Sequence, residues 1–126
     1  MAAITLSGGP IPGRIITFMP VGAWTDPHVG DLVIMDTSID YGVDEAQNAE
    51  DPFGIVRSVS PDSTTLGIEV FSNGCIARLP YDGAVALGNQ VTADLTAGAG
   101  TVEAGGAVGV IIGIGLVAGY VDVYFA

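Results

Sequence analysis

Short apolar runs separated by turn-forming residues make up most of this chain. Residues 66–71 (LGIEVF) set Leu66, Ile68 and Val70 against Gly67, Glu69 and Phe71, the period-2 alternation of a half-buried strand. Residues 120–125 (YVDVYF) repeat it, with Val121, Val123 and Phe125 on one face and Tyr120, Asp122 and Tyr124 on the other. Residues 14–19 (RIITFM), 31–36 (DLVIMD), 53–59 (FGIVRSV), 75–79 (CIARL), 90–93 and 108–113 read as further strands. Ser60-Pro61-Asp62-Ser63 and Ser72-Asn73-Gly74 are turn signals between them. Asn73-Gly74 is the strongest hairpin cue, because both positions tolerate positive φ. Residues 37–52 read as a polar connector, and 97–106 (AGAGTVEAGG) as a flexible hairpin or loop. A short echo, G-[DN]-x-V-x-x-D at residues 30–36 and 88–94, marks two strand entries. Strands with turn chemistry between them describe an all-β fold, a small β-barrel or sandwich. The 19 Gly and 7 Pro leave little room for long helices.

The first residues read differently. Residues 7–13 (SGGPIPG) cannot hold a helix, and their prolines cannot donate to a sheet ladder. Yet Ile4, Leu6, Ile11, Ile15, Ile16, Phe18 and Trp24 make this region too apolar for a solvated tail. Two readings stand: a tail followed by an edge strand, or an extended arm that docks on another subunit or protein. The expected division is an arm with a short strand over residues 1–22 and a single barrel domain over residues 23–126.

Composition narrows the function classes. The 126 residues suit one domain. There are 14 acids against 3 arginines and no lysine, for a net charge of −11. Three scattered arginines make no basic face, so neither nucleic acid nor an anionic membrane surface is expected as a partner. The apolar stretch at residues 107–121 (AVGVIIGIGLVAGYV) is shorter than the ~20 residues of a bilayer helix and carries four glycines. Residues 1–13 lack the basic and apolar regions of a signal peptide, and a soluble chain is expected.

Candidate chemistry is sparse. A lone cysteine, Cys75, allows no internal disulfide and reads as a small buried hydrophobe. The sole histidine, His28, would have to serve any Ser-His or Cys-His device, and no G-x-S-x-G elbow is present. Residues 36–51 hold six carboxylates without the spacing of a calcium loop, and read as a solvated loop. The glycine-rich 97–106 lacks the Lys-Ser/Thr of a phosphate-binding loop. No enzyme, metal site or cofactor is expected.

The order of segments is more informative. GDLVIMD, DPFGIVRSV, TTLGIEVFSNGCIARLP, ALGNQVTAD and GAVGVIIGIG, ending in GYVDVYF, together resemble the small capsid decoration (cement) proteins of tailed bacteriophages. The resemblance covers residues 14–125. It implies a small β-barrel or β-tulip with an extended N-terminal arm, forming a homotrimer on the outer surface of the virion. There it would bind the major capsid protein, bridge neighbouring subunits and stabilise the head. The capsid-binding arm would then use Ile4, Leu6, Pro10, Ile11, Pro12, Arg14, Ile16 and Phe18, with Arg57 and Arg78 as candidates for interface ion pairs. A trimer would carry 3 × (−11) = −33 charges, so its contacts would have to be apolar. The alternative is a β-barrel module that binds a carbohydrate or peptide on a platform of Trp24, Tyr41, Tyr81, Tyr120 and Tyr124.

Overall fold

The computed structural model describes residues 10–126 and shows an all-β architecture. Five strands close a barrel: β1 (Ile15–Pro20), β2 (Leu32–Met35), β3 (Gly42–Glu45), β4 (Gly54–Val59) and β5 (Leu66–Val70), in the order β1-β3-β2-β4-β5. β5 returns to β1 in antiparallel register, with Ile16 opposite Ile68 and Phe18 opposite Leu66. The one parallel pairing joins the end of β1 to the start of β3. The second half holds β6 (Cys75–Pro80), β7 (Val91–Ala93), β8 (Val102–Ala104), β9 (Val110–Ile114) and β10 (Tyr120–Phe125). Here β6, β10 and β9 form an open antiparallel sheet, and β7–β8 a separate two-stranded ribbon.

Two apolar cores sit side by side. Val33, Val43, Val56, Leu66 and Ile68 fill the barrel, with Phe18 and Trp24 closing it. On neighbouring positions of the same strands, Leu32 and Ile55 turn the other way. They pack with Leu79, Val91, Ile111, Val121 and Val123 in the second core. The β2–β4 wall is therefore buried on both faces, which explains why residues 31–36 read as a continuous apolar run rather than an alternation. On β10 the expected alternation is realised: Val121, Val123 and Phe125 are buried while Tyr120 and Tyr124 are exposed.

Four expectations are corrected. Residues 37–52 are not merely a polar connector, because β3 lies inside them with Val43 fully buried. Residues 97–106 contain β8, which pairs with β7. Asn73-Gly74 adopts the expected geometry, with φ of 55° and 78°, and Cys75 N–H returns to the Ser72 carbonyl at 3.1 Å. It closes no hairpin, however. β5 stays in the barrel, whereas β6 runs beside β10, so the turn is a corner between two sheets. Nor is β1 an edge strand, since closure gives it a neighbour on each side.

Candidate interaction surfaces

The N-terminal stretch straps both halves together. Ile11 exchanges two backbone hydrogen bonds with Ile76 of β6, at 3.0 and 2.9 Å. Gly13 N–H donates to Glu69 Oε2 at 2.9 Å, and the Arg14 carbonyl accepts from Val70 N–H at 2.8 Å. Of the arm residues named from the sequence, Ile4 and Leu6 lie outside the described residues. Pro10, Ile11, Pro12, Arg14 and Ile16 present exposed side chains, as does Ile15, 59% exposed, which that set omitted. Phe18 is different: it belongs to the barrel core, edge-on to Phe53 with ring centroids 5.5 Å apart, and is not available for docking.

Both candidate ion-pairing arginines are engaged within the chain. Arg57 occupies a bulge in β4, between Val56 and Ser58, that aims its side chain at Glu69. Its Nε donates to Glu69 Oε1 at 2.7 Å. The buried Glu69 carboxylate thus holds a guanidinium with one oxygen and the strap with the other. Arg78 faces Asp122 directly across the β6–β10 ladder and grips it at 2.7 and 3.0 Å. That hydrogen bonding raises the pKa of Arg78 further above its ordinary value. Each arginine neutralises a buried carboxylate, so little positive charge remains there for a partner. Among the described residues, Arg14 is the one arginine without an ion pair in the chain.

The β9–β10 hairpin presents a second apolar surface. Residues 104–121 contain no charged side chain. Ile112, Ile114, Leu116, Val117 and Tyr120 are exposed, Leu116 to 61%. Ile112 is the extra residue of a bulge, since Gly113 faces Asp122 and Ile111 faces Val123. The 88–89 loop covers the outer edge of β9 only at Ile111, through bonds of 2.8 and 2.9 Å. Among the described residues no strand covers the edge beyond it. Gly109 makes the close turn into this strand possible: at φ 61°, a Cβ there would meet Val123 Cγ1 at 2.4 Å.

The remaining chemistry stays dispersed. Cys75 is buried, and burial raises its thiol pKa. His28 is exposed, 3.6 Å from Asp26. Among the described residues no cluster of three or more His, Cys, Asp or Glu is suited to a metal. The aromatic platform does not assemble. Trp24 is in the barrel core, Tyr41 leans on Phe18 at 6.3 Å, Tyr81 packs against the second core, and Tyr120 and Tyr124 stand on β10. Glu45 lies partly buried near Asp31 and Asp44, and its pKa is raised by desolvation first and by those two charges second. No helix among the described residues is long and apolar enough to cross a membrane.

No family model matches the chain, and no curated protein does.

Proposed function

We propose that this protein is a structural, non-enzymatic decoration protein that binds the outer surface of an assembled phage capsid as a homotrimer and bridges major capsid protein subunits. The observation that carries the reading is the pairing of exposed apolar surfaces with a strongly acidic chain. A −11 polypeptide ordinarily keeps its surface charged, and uncovered apolar strands invite association. Here one such surface runs along the N-terminal strap at Ile11, Ile15 and Ile16, and the other along β9–β10. The strap suits contact with the capsid protein, with Arg14 supplying its cation. The hairpin suits contact between copies, where like charges must be kept apart. A net negative charge suits the outer face of a particle that holds DNA inside.

The test uses expanded heads assembled from the major capsid protein of the same genome. Saturable co-sedimentation of the full chain, and a raised disruption temperature of the heads, are expected. Ile11→Asp and Ile15→Ser should each weaken binding at least tenfold without lowering the melting temperature of the free protein. A genome without a capsid gene, or heads that bring down no protein above background, would overturn the reading.

A further inference from the structure

A third exposed apolar surface lies where the β2–β3 connection meets the end of β1 and the β4–β5 turn. Two open clefts share Ile39 as their common wall. One, of about 420 Å³, is lined by Phe18, Met35 and Tyr41; the other, of about 390 Å³, by Met19, Val21 and Trp24. Met35 and Tyr41 are 60% and 68% exposed, and Met19 and Ile39 are also exposed. Tyr41 holds a φ of 53°, a conformation uncommon for an aromatic residue, and keeps its ring out in solvent. Unbranched methionines adapt to varied apolar partners, which makes them frequent at docking surfaces.

The rim of this surface has one sign. Asp36 and Asp40 line the first cleft and Asp62 the second, and no Lys or Arg lines either. Local hydroxyl and amide donors keep two of these carboxylates ionised: Ser38 binds Asp36, while Ser60 and Thr64 bind Asp62. Their pKa values are correspondingly lowered. An occupant must therefore offer apolar side chains and positive charge together. A second copy of this chain does not, because it has no lysine and two of its three arginines are spent on buried carboxylates. Two adjacent clefts across a single ridge match successive anchors of a polypeptide better than one compact molecule.

We propose that this end of the barrel docks a cationic-apolar segment of another protein, with large apolar side chains in the clefts on either side of Ile39 and flanking Lys or Arg paired with Asp36, Asp40 and Asp62. This holds whether or not the chain decorates a capsid. The chain itself supplies the reporters, since two of its three methionines, Met19 and Met35, line the clefts.

Full-length protein carrying 13C-methyl methionine is titrated with a ten-residue peptide alternating Leu or Trp with Lys or Arg. Two control peptides replace the cations by Glu or the apolar residues by Ser. Saturable shifts at Met19 and Met35 are expected from the first peptide alone. Ile39→Ser should weaken binding at least tenfold, as should Asp36→Asn/Asp40→Asn/Asp62→Asn. The charge-matched variant Asp26→Asn/Glu50→Gln/Asp82→Asn should leave binding within twofold, which separates this rim from the general attraction of an acidic protein. The proposal is overturned by equal binding of either control peptide, by absent or non-saturable shifts, or by equal losses in the two charge variants. Should the Asp36-containing triple unfold, Asp40→Asn with Ile39→Ser decides alone.

Discussion

The two halves of this molecule handle strand edges in opposite ways. The barrel closes on itself through β1 and β5, so each of its five strands has a neighbour on either side. The second half leaves its sheet open: β6 is capped by the strap at Ile76, while β9 is covered only at Ile111. The same contrast appears in the side chains. Most carboxylates lie in the first half, whereas the uncharged 104–121 stretch lies wholly in the second. Closure leaves the barrel no free backbone edge, whereas the open edge of β9, within the uncharged 104–121 stretch, can still gain a strand partner.

The sharpest way to break that contrast is to test whether the halves are energetically separate at all. Leu66 in the barrel core and Leu79 in the second core are both 1% exposed. Replacing either by Ala should cost about 3 kcal/mol. Because Leu32 and Ile55 join the barrel wall to the second core, urea unfolding should show one transition that both variants move. Two transitions, only one of them displaced by each variant, would make the halves independent.

The strap gives the next largest effect. Glu69→Gln leaves Arg57 without its counter-charge and weakens the acceptor for Gly13 N–H. Arg57 is 39% exposed, which lets water compensate in part, so the loss should be about 1–2 kcal/mol. Hydrogen exchange should accelerate at Gly13 and Ile11 before it does in β9 or β10.

A smaller effect has the opposite sign. The pKa of Glu45 is raised above the ordinary 4.5, so the folded protein binds its proton more tightly than the unfolded chain does. Stability from this group is present below the ordinary value and is lost as pH rises through the raised one. Glu45→Gln should therefore raise the urea midpoint at pH 7 and leave it unchanged at pH 3.5. The smallest effect on stability is expected on the open sheet. Ile112→Lys sits on an exposed position of β9, and should stay within about 0.5 kcal/mol of the parent. Under the trimer proposal the same change lowers the native mass by light scattering, so stability and association separate at one residue.

Most of this architecture was legible because it rests on local alternation. The faces of β10 and the Leu66–Ile68 pair of β5 follow from period 2 alone. What escaped has a tertiary cause. β3 (GVDE) owns one large apolar side chain, Val43, and becomes a strand because β1 and β2 flank it. β8 is a strand by virtue of β7. Asn73-Gly74 specifies a turn and nothing about destination; β10, more than forty residues later in the chain, decides where β6 goes. The interaction surfaces were legible in part. The uncharged 104–121 stretch could be read directly, but the capture of Arg57 and Arg78 depends on cross-strand partners 12 and 44 residues away.

The pairing of β1 also orders events in time. Its long partner is β5, with Ile15 meeting Glu69, and its shorter one is β3. A chain emerging from the ribosome holds its first strand in waiting until residue 70 has been made, and its Ile11 until residue 76 follows. Contacts so distant in sequence slow folding. The apolar strap therefore stays uncovered through most of synthesis and is sewn in late, which makes it the segment that an encounter with another chain could claim first.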